Sequence, residues 1–267
     1  MDPSAPPTRL FHSGPLAAGG PVRLDPESSH HALRVLRLQP GDRVELFDGS
    51  GARWPGRLVD TDPRGASVEL GEPIEAATES PLSIGLAQAL PSGDKMDWVV
   101  EKAVELGAVA IQPLFSRRSL LKLDGDRAAK RLAHWRRIAL AACMQCGRDR
   151  VPDIAEPVAL SRWLATAAPL PAPAGGQPGT SAQAAQPPAP LRLVLSPRGR
   201  TGLSGIALSG GSAWLLAGPE GGLADEEEAL ALEAGWHPLR LGPRVLRTET
   251  AGLAAIAALQ ARFGDFG

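Results

Sequence analysis

The sequence predicts an α/β protein in two parts, a small N-terminal β-barrel over residues 1–73 and a larger parallel-sheet domain over residues 74–267. Three observations predict it. Short strands separated by turn signals fill the first part. From residue 82 the pattern changes to strand, helix, strand, a unit that requires parallel pairing. Three further short strands follow, and each runs into a loop rich in glycine or proline.

In the first part, "RVELFDGSG" alternates through Val44 and Leu46 to a turn at Asp48-Gly49. "RWPGRLVD" follows, and "ASVELGE" comes after a turn at residues 63–65. One helix, "SSHHALRVLRL", interrupts the strands; Leu33, Val35 and Leu36 are apolar, Arg34 and Arg37 point outward, and "QPGD" ends it. Arg9, Arg34, Arg37, Arg53 and Arg57 are candidates for an RNA-facing surface, although solvated strand faces carry such charges too.

In the second part "LSIGLAQAL" is an apolar strand, and Asp94 can cap a helix whose stripe is Met96, Val99, Val100, Ala103 and Val104. Gly107 ends that helix and "AVAIQPLF" is the next strand. A long basic helix spans residues 126–146. Leu132, Trp135, Ile138, Ala139 and Ala142 face inward, while Arg127, Lys130, Arg131, His134 and Arg137 face out. Residues 166–190, uncharged and rich in Pro, Ala and Gly, cannot bury enough surface to offset their ordering entropy and read as a disordered insertion. The last helix contains a nearly charge-free run, 251–259, whose entrance is crowded by Arg244, Arg247, Thr248, Glu249 and Thr250.

Composition narrows the function classes. A hydrophobic content of 43% supports real cores, and no run approaches the length of a membrane span. The N-terminus lacks the basic-then-apolar order of a secretory signal, so the expected compartment is the cytoplasm, with no membrane partner. Cys143 and Cys146 lie one turn apart with no second Cys/His pair at zinc spacing, and the five histidines are scattered, so no metal is expected. Net charge is −1, yet residues 116–150 hold ten Lys/Arg against three acids, a concentration of basic character that suits a polyanion.

The strands "LRLVLS", "SAWLLA" and "HPLRL" lead into "PRGRTG", "GPEGG" and "GPRVLRTETAG". Ligands collect at the carboxyl ends of strands in an open α/β sheet, and glycine lets backbone approach a ligand closely. Asp225 and Glu228 fit a capping box behind "GPEGG". There is no GxGxxG after a strand, no GxxxxGK[ST], no HExxH and no GxSxG, so whatever binds is held mainly by backbone.

"GPEGGLADEE", followed by "LGPRVLRTETAGLAAIAALQ", resembles the ribosomal RNA small-subunit methyltransferase E (RsmE) family of the SPOUT methyltransferases. "HHALRVLRLQPGDRVELFDGSG", "KMDWVVEKAVELGAVAIQPLFSRRS" and "HWRRIALAACMQCGRDRVP" resemble it in the same order. Two departures stand out: Met144 replaces a usual glutamate, and Ala224 replaces a common serine whose capping role Asp225 can take. The resemblance implies a PUA-like barrel that helps bind RNA and a SPOUT-type domain with a C-terminal trefoil knot. It also implies a homodimer with active sites at the subunit interface, and S-adenosyl-L-methionine as cofactor. The implied reaction is methylation of N3 of one uridine in 16S rRNA of the small ribosomal subunit, near the decoding site.

On that reading Leu195, Gly218, Glu220, Gly222, Leu241, Gly242, Leu246 and Thr248 hold the cofactor by backbone and apolar packing. A uridine N3 must lose its proton to attack, which calls for a base or a cation that stabilises the anion. Arg247 and Arg244 can supply the charge, and Glu249 or Glu220 can accept the proton; phosphate anchoring for the arginines and helix-terminus service for Glu249 are the alternatives. Arg9, Arg34 and Arg37 in the barrel and Arg127, Arg131 and Arg137 on the basic helix are the expected RNA contacts.

Overall fold

The computed structural model describes residues 7–62, 65–75, 77–121, 124–166, 169–171, 189–208 and 211–267. Most of the predicted insertion at 166–190 therefore lies outside the described residues. The chain divides into two compact units, one formed by residues 1–79 with 143–151, the other by 80–142 with 152–267.

The first unit is a six-stranded sheet of β1 (Thr8–Phe11), β2 (Pro21–Arg23), β3 (Arg43–Phe47), β4 (Ala52–Asp60), β5 (Ser67–Leu70) and β6 (Ile74–Glu75), in the order β1-β3-β4-β5-β2 with β6 on β4. Inward positions alternate as the sequence predicts, so that Leu10, Val44, Leu46, Leu58, Val68 and Leu70 share one core. The predicted helix is shorter and less regular than expected. Helix α1 (Pro26–His30) is capped by Asp25, whose carboxylate accepts from Ser28 N at 2.8 Å, and its next turn, His31–Val35, is a π-helix. Arg37 ends it with φ of 56°, the left-handed position usually given to glycine.

The segment 143–151 completes this unit by charge. Asp149, whose side chain is 1% exposed, accepts from Arg9 Nη2 at 2.7 Å and from Arg53 Nη2 at 2.9 Å. Arg9 also donates to the Arg148 carbonyl, and Arg148 pairs with Glu79 at 2.8 Å. Arg9 and Arg53 thus do not belong to an outward RNA-facing surface, because a buried carboxylate holds both guanidiniums. Cys143, at the start of this segment and still helical, is buried, and burial pushes its thiol up to about 12.

The second unit is an eight-stranded sheet, parallel throughout. Its strands are β7 (Ser83–Ala89), β8 (Ala108–Phe115), β9 (Asp153–Ile154), β10 (Val158–Ala159), β11 (Leu191–Leu195), β12 (Thr201–Gly202), β13 (Ser212–Ala217) and β14 (His237–Arg240). They run β10-β8-β7-β13-β11-β14-β12, with β9 also on β8. β7 and β13 are buried along their whole lengths, as central strands covered on both faces must be. Gly85 of β7 lies opposite Trp214 of β13, and a Cβ there would sit 2.5 Å from the indole.

The helices are α2 (Lys95–Glu105), α3 (Gly125–Cys146), α4 (Leu160–Leu164), α5 (Asp225–Glu233) and α6 (Thr248–Phe263). α2 packs on α6, which lies along β7 and β13. α4 and α5 contribute to a core with Trp163, Trp214 and Trp236, the first two edge-to-face at 5.2 Å. α3 buries Leu132, Trp135, Ala139 and Ala142 as predicted. His134, expected outside, instead meets Asp97 of α2 at 2.7 Å, where Trp135 Nε1 also donates. None of the described helices is long and apolar enough to cross a membrane.

Replacing Asp149 with Ala should remove the buried carboxylate from two nearly buried guanidiniums, leave them Glu45 and backbone carbonyls, and destabilise the protein by about 3 kcal/mol. Urea denaturation of wild type and variant checks this.

Candidate functional site

β11 lies between β13 and β14 and is parallel to both, so the carboxyl ends of three strands separated in sequence open at one edge. The loops that follow them surround a cavity of about 820 Å³, a size that suits a single nucleoside-like ligand. Leu195, Gly218, Glu220, Gly222, Leu241, Gly242, Leu246 and Thr248 all line it, together with Arg244, Arg247 and Glu249. No described group of three or more His, Cys, Asp or Glu side chains is gathered to hold a metal ion.

The "GPEGG" loop folds back on itself. A Cβ on Gly218 would lie 2.9 Å from Leu223 N, and Gly222 has φ of +67°, so both positions need glycine. The loop is also clasped from outside. Glu220 Oε1 accepts from Lys95 Nζ at 2.6 Å, Ser92 Oγ at 2.6 Å and Ser92 N at 3.0 Å. Partial burial pushes the Glu220 carboxyl up, but the hydrogen bonds from Lys95 and Ser92 outweigh it and hold the group at about 2. A carboxylate that acidic is a poor proton acceptor, which removes Glu220 from the pair of candidate bases. Arg118 Nη1 donates to the carbonyls of Gly221 and Leu223 at 2.8 and 3.1 Å.

Behind the loop the helix cap differs from expectation. Ala224 is the N-cap of α5, and Glu227, not Glu228, reaches back to its N–H at 2.9 Å; Ala224 has no side-chain oxygen to complete a capping box. Asp225 and Glu228 instead pair with Arg198 of the loop after β11.

In the third loop Gly242 takes φ of +74° and Arg244 is exposed. Arg247 is the N-cap of α6 by backbone alone, with its side chain 85% exposed. Thr248 is buried and donates to the Gly218 carbonyl at 2.6 Å. Glu249 occupies the first turn of α6 with its side chain 17% exposed, and its Oε2 is buried without a hydrogen-bond partner. Neither Arg247 nor Glu249 caps the helix through its side chain.

Of the expected RNA contacts, Arg34, Arg37, Arg127 and Arg137 are exposed, and Arg131 is half-buried within 3.4 Å of Asp94. Lys95 and Arg118 are site residues that sequence reasoning missed. They follow β7 and β8, strand ends of the same sheet, and that position was the available signal.

Residues 78–260 match the sequence profile described as an RNA methyltransferase domain, and residues 24–71 that of an RNA methyltransferase PUA domain. A Synechocystis protein named ribosomal RNA small subunit methyltransferase E is 32% identical over 90% of this chain and 73% of its own. The chain belongs to the ribosomal RNA small subunit methyltransferase E family. Two solved structures extend this. A ribosomal RNA small subunit methyltransferase E from Neisseria gonorrhoeae, bound to S-adenosyl methionine, is 37% identical with a TM-score of 0.85, covering 98% of this chain and 100% of that one. A putative methyltransferase from Legionella pneumophila, also with bound S-adenosylmethionine, is 33% identical with the same TM-score and the same coverage. The SPOUT-type parallel-sheet fold with an N-terminal PUA-like domain, expected from the resemblance, is thereby established.

Within this family member, Glu220→Gln should remove an acid-limb dependence of stability. The folded pKa of about 2 lies below the ordinary 4.5, so the carboxylate contributes fully above about pH 4.5 and loses its contribution as pH falls toward 2. The stability gap between wild type and variant, followed by denaturation across acid pH, should be flat above about pH 5 and shrink below it.

Proposed function

We propose that the protein transfers the methyl group of S-adenosylmethionine to N3 of one uridine in 16S rRNA, near the decoding site of the small ribosomal subunit. The observation that carries this reading is the convergence of three sequence-distant loops on one cavity that Glu249 and Arg247 also line. The names of the relatives and the ligand of the two structural neighbours point the same way.

The cavity fits such a cofactor: its volume is adequate, and its walls mix glycine backbone with Leu195, Leu241 and Leu246. When bound, S-adenosylmethionine supplies an electrophilic methyl carbon on a sulfonium. The protein's part is to align the reacting atoms and exclude water. Gly218, Gly222 and Gly242 bring backbone polar groups to the ligand, Glu220 and Thr248 fix the loops that carry them, and the three leucines cover apolar surface. Glu249 accepts the uridine N3 proton, and Arg247, with Arg244, stabilises the resulting anion.

The RNA is gripped by Arg34 and Arg37 of the barrel unit, taken as residues 1–73, and by Arg127, Arg131 and Arg137 of α3, while Arg9 serves the barrel internally. The target base turns out of its stack to reach the cavity. We take the C-terminal segment to be threaded as a trefoil knot and the protein to act as a cytoplasmic homodimer. The surface of α6 supports the dimer: Leu253, Ala254 and Ala257 are half-buried and Ala261 is exposed, and Trp98 of α2, the helix packed on α6, is exposed too.

Glu249→Gln should lower single-turnover methylation of small-subunit RNA by about 100-fold or more while calorimetric affinity for S-adenosylmethionine stays within a few-fold. Retained activity would exclude Glu249 as the base. Arg131→Glu with Arg137→Glu should weaken RNA binding and flatten its salt dependence without changing cofactor affinity, measured by filter binding at several salt concentrations. Primer extension across the small-subunit RNA of a deletion strain tests the substrate itself: one stop near the decoding site should vanish and return with the wild-type gene.

A further inference from the structure

Gln88 is fully buried at the carboxyl end of β7, a strand whose other residues are Ser, Gly or apolar, and it does not line the cavity. A primary amide in such a place is costly unless its hydrogens are bonded. Gln88 Nε2 lies 2.9 Å from the Ala89 carbonyl, 3.1 Å from Thr248 Oγ1 and 3.4 Å from the Gly218 carbonyl. Thr248 Oγ1 gives its one proton to the Gly218 carbonyl at 2.6 Å, so toward Gln88 it can only accept. All three neighbours being acceptors, the amide nitrogen must face them, and Oε1 is left buried without a partner. The result is a directed chain, from the Gln88 amide to the Thr248 hydroxyl to the Gly218 carbonyl.

This chain joins the two loops that matter most. Gly218 opens the "GPEGG" loop, and Thr248 is the first residue of α6, immediately between Arg247 and Glu249. α6 has little else to fix its rotation at that end. Its run "AGLAAIAALQA" is mostly alanine, and Gly252 lets it approach β7 so closely that a Cβ there would lie 2.9 Å from Leu86 Cδ1. A second polar pin holds the far end of the helix: Gln260 Oε1 accepts from Ser80 Oγ at 2.7 Å, and its Nε2 donates to the Leu106 carbonyl at 3.1 Å.

We propose that Gln88 is a positioning residue for methyl transfer, acting through Thr248 to fix the rotation of the α6 N-terminus, and hence Glu249 and Arg247, against the Gly218 loop. The proposal rests on the methyltransferase reading above. The Gln260 pin provides an internal control, since it is a buried glutamine on the same helix but away from the cavity.

In the full-length protein, Gln88→Met should lower single-turnover methylation at saturating cofactor and RNA by about tenfold or more, and weaken S-adenosylmethionine binding several-fold, while the protein stays folded. Gln260→Met should lower the unfolding temperature but leave turnover and affinity within about twofold of wild type. Thr248→Ser, which keeps the hydroxyl, should retain most activity; Thr248→Val should lose it, and adding Gln88→Met to Thr248→Val should cost little more, because the links act in series. If Gln88→Met fails to fold, the contrast between Thr248→Ser and Thr248→Val decides, equal turnover in the two overturning the proposal. A folded Gln88→Met with wild-type turnover, an equal catalytic loss in Gln260→Met, or full additivity in the double variant would each overturn it as well. Failure of the wild-type protein to methylate any RNA would refute the parent reading; calorimetry would then decide the Gln88 proposal, a wild-type affinity in Gln88→Met overturning it.

Discussion

The parallel alignment of β13, β11 and β14 is the constraint from which the site follows. A parallel sheet points every carboxyl end the same way, and placing β11 between two strands that come after it in sequence brings three loops to one edge. Each loop alone would be an ordinary turn. Together they enclose a cavity assembled from three separate segments, and this explains why no short nucleotide-binding signature is needed. The glycines at 218, 222 and 242 are the local cost of that arrangement, since each gives up a side chain so that the chain can fold tightly or adopt a left-handed conformation.

Charge then fixes what the sheet assembles. The carboxylate of Glu220 collects two donors from Ser92 before α2 and one from Lys95 at its start, Arg118 holds two carbonyls of the same loop, and Arg198 ties the loop after β11 to the start of α5. These contacts sit on exposed or half-exposed side chains, so each is individually weak and screened by salt, and their combined effect is geometric. Glu249 differs because its Oε2 is buried and unpartnered. A carboxylate oxygen buried without a donor carries a desolvation cost.

Much of this could be read from residue order. Period-2 and helical patterns are strong where elements are long and covered on a defined face, so β7, α2, β8 and the strands at 191–195, 212–217 and 237–240 were legible, and so were the loop residues that line the cavity. The two-residue strands β9, β10 and β12 were not, because two residues carry no period. The cap of α5 was misplaced by one residue: Ala224 has no capping side chain to announce it, and the carboxylate that serves it comes from Glu227. Arg9 and Arg53 looked like outward charges because their partner, Asp149, lies 140 and 96 residues away in the chain. Lys95, Arg118 and Gln88 were missed for the same reason, since each acts on a loop more than 100 residues distant.

The discontinuity of the barrel unit has a consequence for biosynthesis. Its strands are complete by residue 75, but the more deeply buried of the two carboxylates on Arg9 and Arg53 arrives with Asp149, and Glu79 must wait for a backbone amide 70 residues later. On a translating ribosome the first strands emerge with Glu45 as the one acid shared by these two guanidiniums, and Asp149 joins only after β7, α2, β8 and most of α3 are made. The N-terminal unit is therefore the first to be synthesised but cannot be the first to finish folding.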